Sequence, residues 1–343
     1  MKKRLILILI AVVALFFSWF ALNTIFYSPN VKLVKDKILI DIPENTDIHS
    51  LTKLLKPYLR SPKTFELASK IKRFKRVKAG RYEIKNKLNN NNLINMLRVG
   101  KQVEVKLTFN NQNSLENLAG AVSQYISADS NALLKVMKDE KFLNKNGFDT
   151  NTALLMYLPN TYRFYYNTSA EKFRNKMLAE YHKFWNEKRT KKAKEQELTP
   201  IEVGILASIV QKESAKKDEL PKIASVYLNR LKKNWLLQAD PTVVYAYQQK
   251  YGKDLVIKRV LNKHKKVDSP YNTYKYQGLP PGPICMPDIR SIKAVLNPEK
   301  HDYYFFVADM KHPGYHIYSK KLKDHINNAN SYHSGLNKLG IYH

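Results

Sequence analysis

Cysteine is nearly absent from this 343-residue chain, where Cys285 stands alone. A single thiol excludes an intramolecular disulfide and any multi-cysteine metal site, and in an exported chain it reads as a small buried apolar residue. Glycine numbers only 11, with no phosphate-cradling glycine loop and no Gly-x-Ser-x-Gly nucleophile elbow. His-Glu-x-x-His is missing as well. His264, His301, His312, His316 and His325 are scattered without ligand spacing, so neither a metal nor a cofactor is expected. Acidic residues are outnumbered, 29 Asp and Glu against 59 Lys and Arg, for a net charge of +30. That balance implies polyanionic surroundings: nucleic acid, anionic lipid headgroups or acidic wall polymers. No helix-turn-helix, zinc-ligand set or RNP-type aromatic motif accompanies the charge, so nucleic acid is not an expected partner. Internal repeats and low-complexity linkers are absent too, although the length suits two or three domains.

What is present begins at the N-terminus. Met1-Lys2-Lys3-Arg4 precedes residues 5–27, LILILIAVVALFFSWFALNTIFY, which carry no charge. About 20 apolar residues cross a bilayer core, and this run exceeds the apolar region of a signal peptide, about 7 to 15 residues. No small-x-small cleavage site follows. The basic residues before the span predict a cytoplasmic N-terminus and an external chain from residue 28 onward.

Beyond the span, residues 37–42 (KILIDI) read as a strand, followed by two helical stretches, the second opened by the cap-plus-proline pair Ser61-Pro62. Residues 79–84 read as turn plus strand, 93–99 as a short helix and 102–109 (QVEVKLTF), which alternate, as a half-buried strand. Residues 114 to about 147 have helical periodicity, with Ser114 and Ser127 as caps. Leu158–Tyr162 read as a rigid turn, and residues 168 to about 196 as one long charged helix. Helices are also expected from Pro221, over 245–251 and from Ser319 onward, with strands at 302–308 and 314–318. The class is therefore α+β: one transmembrane helix, a small α+β unit, and a larger mostly helical region with short strands.

The stretch from Leu198 to Val243 organises the rest. Thr199-Pro200-Ile201-Glu202 is a capping-box start, and Leu206, Ile209 and Val210 share a helix face with Glu213. A carboxylate at the end of an apolar stripe fits two descriptions. It is a desolvated general acid with a raised pKa, or an edge residue whose head snorkels to water. Polar residues cluster in the turns that follow: Gln238, Asp240, Thr242, Tyr271, Asn272, Thr273 and Tyr274. Amides, hydroxyls and rings around one protonatable carboxylate suit carbohydrate. Glycoside cleavage normally uses two carboxylates, with Asp240 and Asp268 as nearby choices for the second. An Asp before Pro also simply makes a turn. Without a second carboxylate, the C6 hydroxyl of a muramic acid can attack its own C1, with one Glu serving as acid and then as base.

The series Leu206–Ser214 (LASIVQKES), Ala224–Arg230 (ASVYLNR), Leu237–Val243 (LQADPTV), Ser269–Tyr274 (SPYNTY) and Gly278–Ile284 (GLPPGPI) resembles the MltG (YceG-like) family of endolytic murein transglycosylases. The resemblance covers most of the chain outside the membrane, including Pro159–Tyr162 and a LysM-like stretch from Ile42 to Gly100. It implies a cytoplasmic tail (1–4), a transmembrane helix (5–27), a LysM-like subdomain (28–110) and a catalytic domain (111–343). It also implies non-hydrolytic cleavage of the MurNAc–GlcNAc β-1,4 bond of nascent strands, leaving 1,6-anhydro-MurNAc ends and ending polymerisation. The family's catalytic Glu falls on Glu213, with Gln238, Asp240, Thr242 and Tyr271–Tyr274 expected in the substrate cleft. The implied partners are glycan strands and inner-membrane lipid, with peptidoglycan synthases as a further candidate. Leu154-Leu155, Gln211 and Lys321 depart from common family residues. Two alternatives stay open: a hydrolytic muramidase using Glu213 and Asp240, and a non-catalytic wall-binding scaffold.

Overall fold

The computed structural model describes residues 2–252, 254–257 and 259–338. Met1 of the expected tail and residues 339–343 of the expected catalytic domain lie outside the described residues. The architecture is helix-rich α+β with three two-stranded sheets among the described residues. The chain divides into two compact units.

The first unit comprises residues 1–107, 122–129 and 162–169. Its apolar helix runs over Lys2–Leu22 and continues as a π-helical turn, Asn23–Tyr27. Within Lys3–Tyr27 an 18-residue window has mean hydropathy 2.9 with none of it buried, the profile of a membrane span by length and composition. The end of this helix is not a loose tether. Ile25 and Phe26 pack against the unit's core, and the buried Asn90 side chain donates to the Ile25 carbonyl at 2.8 Å. That core is closed by β1 (Lys37–Ile42) and β2 (Gly80–Lys85), antiparallel with Asp41 opposite Arg81. Between them run helices Ile48–Leu55 and Pro62–Ile71, the latter capped by Ser61 as the sequence predicts. Helix Asn90–Val99 follows, and β3 (Glu104–Phe109) pairs with β4 (Asn160–Tyr165).

The second unit comprises residues 108–121, 130–161 and 170–343. The helix Pro200–Glu213 is its centre and carries the predicted capping box in both directions: Thr199 N donates to Glu202 Oε2 at 2.7 Å, and Glu202 N to Thr199 Oγ1 at 3.2 Å. Every residue from Val203 to Val210 is buried. The helix is thus apolar all round, which requires cover on all sides rather than along one stripe. The cover comes from helices Leu220–Lys232, Asp240–Tyr251 and Ile289–Leu296 and the short 3₁₀ turn Ala153–Met156. At Gly204 a Cβ would lie 2.8 Å from Leu155 Cδ2, so a larger residue there would require the Leu155 side chain to shift. β5 (Phe305–Ala308) and β6 (His316–Ser319) form an antiparallel hairpin.

Several sequence expectations are corrected. Leu158–Tyr162 is not only a turn, because Asn160 already starts β4. Over residues 114–147 there are three helices, with Ser114 a true cap (Asn117 N to Ser114 Oγ, 3.2 Å) but Ser127 outside any of them. The long charged helix breaks at Trp185-Asn186 into Ala170–Phe184 and Glu187–Glu195, because the Asn186 side chain caps the second. Asp240-Pro241 opens a helix rather than making a turn, with proline tolerated in the first turn where its missing N–H has no intrahelical acceptor. Cys285 is buried as expected, and burial pushes its thiol up to about 11.

Candidate active site

Glu213 is the last residue of the central helix, with Ser214 already extended beyond it. Two cavities meet at this carboxylate, one of about 1040 Å³ and one of about 280 Å³, and both are also lined by Asp240. The larger presents amides and cations, among them Asn113, Asn151, Gln248 and Lys212, with Pro283 and Ile284 in its wall. The smaller is aromatic, with Tyr274, Phe305 and Phe306 around Gln238, Arg230 and His325. Ring faces next to hydrogen-bonding groups are what a sugar offers and accepts.

The electrostatics single out Glu213. Burial pushes its carboxyl from 4.5 up to about 7; the Tyr227 hydrogen bond and the more distant Arg230 cation pull the other way, while Asp240 adds to the rise. The Tyr227 hydroxyl donates to Glu213 Oε1 at 2.5 Å. Tyr227 is itself pushed well above its ordinary value, first by burial and then by the neighbouring Glu213. It therefore remains a donor and holds the half-buried Glu213 in one orientation, with the carboxyl raised toward neutrality. That is the state a general acid needs. Tyr227→Phe removes a contact that favours the charged carboxylate. The alkaline fall of the activity profile is expected to move to higher pH in that variant, and an unmoved or lowered midpoint in a pH–rate titration would contradict the assignment.

The helix Leu220–Lys232 supplies a second buried group. Arg230 is three residues beyond Tyr227 and 8% exposed. Its Nε donates to the Tyr304 carbonyl at 2.7 Å and its Nη1 to the Leu237 carbonyl at 2.6 Å. The guanidinium thus ties the segment just before β5 to the turn carrying Gln238, and places a cation beside the small cavity.

Six of the seven expected cleft residues separate into two groups, and Tyr271 stands apart from both. Gln238, Asp240 and Tyr274 line the small cavity together with Glu213, and the Tyr274 hydroxyl donates to Asp240 Oδ1 at 2.6 Å. Gln238 holds a left-handed backbone, φ 50°, a conformation that costs a non-glycine residue on the order of 1 kcal/mol. Its N–H donates to the Thr273 carbonyl at 3.0 Å, which holds the turn there. Thr242, Asn272 and Thr273 are fully buried instead. Thr242 and Thr273 join hydroxyls at 2.8 Å, and Thr273 accepts from Ala239 N at 3.0 Å. The Asn272 amide donates to the Lys265 and Val267 carbonyls at 2.8 and 2.7 Å. These three brace the loop behind the cleft. The Tyr271 ring lies 4.7 Å from that of Tyr245, which lines the large cavity. Asp268 is engaged elsewhere, with Lys275 and Tyr276.

Sequence reasoning did not reach Tyr227, Arg230, Phe305 or Phe306. Tyr227 looks like one more core residue of an amphipathic stripe, and only its hydroxyl partner reveals its role. His325 lines the small cavity with its ring stacked on Phe305, 5.2 Å between centroids at 18°. Of the departures noted in the sequence, Gln211 holds the loop that follows Cys285, accepting from Asp288 N, and Leu155 packs on Gly204. No group of three or more metal-ligating side chains occurs among the described residues.

A family model described as the YceG-like family matches residues 40–331. An endolytic murein transglycosylase of Bacillus subtilis (strain 168) is 32% identical over 328 residues, covering 90% of this chain and 89% of that protein. An endolytic murein transglycosylase of Streptococcus pneumoniae serotype 2 is 29% identical over 323 residues, 86% of this chain but 58% of that longer protein. The crystal structure of a yceG-like protein from Listeria monocytogenes superposes with a TM-score of 0.57 at 29% identity, covering 85% of this chain and 98% of that one.

Proposed function

This chain belongs to the YceG-like family, and we propose that it is a membrane-anchored endolytic murein transglycosylase whose general acid and base is Glu213. The observation that carries the reading is the Glu213 carboxyl: desolvated, raised to about 7, fixed by Tyr227 and standing where two cavities meet. The names of the two relatives support murein glycan as the substrate.

In the proposed reaction a glycan strand lies through both cavities with the scissile MurNAc–GlcNAc bond at Glu213. The protonated carboxyl gives its proton to the leaving O4. The carboxylate so formed then takes the proton of the C6 hydroxyl as that oxygen closes on C1, leaving a 1,6-anhydro-MurNAc end and no added water. Raising the pKa serves both halves, because the same group must give a proton and recover it near neutral pH. Gln238, Asp240 and Tyr274 contact the sugar, and Thr242, Asn272 and Thr273 hold the loop that presents them.

The basic tail before the apolar helix supports a cytoplasmic N-terminus with the catalytic unit outside the inner membrane. The separate core of the first unit supports a LysM-like module that binds murein or spaces the catalytic unit from the bilayer. Cleavage of nascent strands next to the membrane would end their polymerisation.

Asp240 shares both cavities with Glu213, and that observation favours a second reading, hydrolysis with Asp240 as the other carboxylate. Mass analysis of glycan strands digested with the full chain separates the two. Anhydro ends support the transglycosylase, reducible ends heavier by one water support the muramidase, and binding without new ends leaves only a scaffold.

A further inference from the structure

Glu219 is a buried carboxylate, 5% exposed, that the reaction above does not use. Both of its oxygens are occupied. Oε1 accepts from His316 N at 2.8 Å and the Tyr318 hydroxyl at 3.0 Å; Oε2 accepts from Ser214 Oγ at 3.1 Å and is paired with His316 Nδ1 at 2.9 Å. Burying a carboxylate is tolerated when charge-assisted hydrogen bonds of this number surround it. These bonds join three places in the chain. Ser214 follows Glu213 directly, Glu219 itself is the N-cap position of the helix bearing Tyr227 and Arg230, and His316 and Tyr318 belong to β6.

The hairpin held in this way reaches back to the catalytic pair. Phe306 in β5 lies opposite Tyr318 in the register and packs edge-on against His316 at 5.1 Å and against Tyr227 at 5.9 Å. Phe306 also lines the small cavity. A shift of β6 would therefore move the ring that backs Tyr227, and Tyr227 is the donor to Glu213.

From this arrangement we infer that Glu219 is a positioning residue: by locking His316, Tyr318 and Ser214 onto one carboxylate it sets the β5–β6 hairpin against Tyr227 and thereby fixes the orientation of the Glu213 carboxyl. Glu219 does not line either cavity, and its oxygens are engaged, so it is not a second catalytic carboxylate. The inference rests on Glu213 as the reacting acid.

The test uses the full chain in detergent micelles with uncross-linked glycan strands, reading kcat, KM and Tm. His316→Gln places its amide where Nε2 stood and cannot reach Glu219, so kcat is expected to fall about 10-fold with KM changed less than about 2-fold. His316→Asn places its amide near Nδ1 and is expected to recover most of that loss. Tyr318→Phe keeps the ring and removes one donor, with an expected fall in kcat of about 3-fold. Wild-type kcat in both His316→Gln and Tyr318→Phe would overturn the inference, as would equal losses in the Asn and Gln variants that simply follow Tm. Glu213→Gln is run beside them. If it stays active, the Glu213 reading fails; if it is inactive while His316→Gln and Tyr318→Phe both turn over normally, only the positioning role fails.

Discussion

Glu213→Gln is expected to eliminate strand cleavage, lowering kcat by at least about 10³-fold, while the protein becomes more stable at alkaline pH. The rate loss follows from chemistry. An amide of nearly the same shape neither gives a proton to O4 nor accepts one from the C6 hydroxyl, and general acid–base steps are worth about 10²- to 10⁴-fold each. The stability gain follows from linkage. The folded carboxyl titrates at about 7 against 4.5 for the free group. Below 4.5 both states carry the proton and the group is neutral to stability. Between those values the unfolded chain releases its proton first, so stability falls as pH rises, and above 7 the whole penalty is present. At about 1.4 kcal/mol per unit the wild-type penalty reaches up to about 3 kcal/mol, and the glutamine escapes it. Thermal denaturation of both proteins at acid and alkaline pH checks this. A variant that is less stable than wild type at alkaline pH would mean that the carboxylate is well solvated.

Arg230→Met is expected to cost about 3–4 kcal/mol of stability and most of the activity with it. The mutation removes two hydrogen bonds to the Tyr304 and Leu237 carbonyls and leaves both acceptors without their donor in a buried setting. It also frees the turn before Gln238 from the segment just before β5, so the small cavity loses its shape on two sides. Methionine fills most of the volume, which separates the polar loss from a cavity effect. Denaturant titration measures the cost. A change below about 1 kcal/mol would show that water replaces the guanidinium at both carbonyls.

Much of the fold could be read from local signals, and the reasons are visible in particular residues. Thr199-Pro200 with Glu202 carries its own start signal, and the helix begins there with both reciprocal bonds formed. The alternation of residues 104–109 follows from a strand with one buried face. Ser61-Pro62 likewise starts a helix where its chemistry says it should. Periodicity failed where a side chain competes with the backbone. Asn186 caps a new helix inside a charged run, and Pro241, read as turn-making, sits in the first turn of a helix. The even apolar cover around Val203–Val210 was also hidden, because a stripe ending in Glu213 looks the same whether the opposite face meets water or another helix.

The site was legible in part for the same reason. Glu213 announces itself because a carboxylate breaks an apolar pattern. Tyr227 does not, since a tyrosine in a stripe is ordinary, and its partner lies fourteen residues away on another helix. The polarity of Thr242, Asn272 and Thr273 suggests the cleft. Burial and mutual hydrogen bonding instead place them behind it, where polar side chains satisfy backbone groups of a loop. The hairpin aromatics that complete the small cavity come from a strand about ninety residues after Glu213, beyond the reach of any local pattern.

The central claim is that one carboxyl, raised to about 7 by burial, performs the cleavage without an ionised partner. The pH dependence of kcat/KM tests it most directly. The account predicts full activity on the acid side of neutrality down to the onset of acid unfolding, and a single fall centred near the Glu213 value of about 7. A bell-shaped profile with a second, acidic limb, together with loss of activity at every pH in Asp240→Asn, would show that an ionised Asp240 is required, and would contradict it.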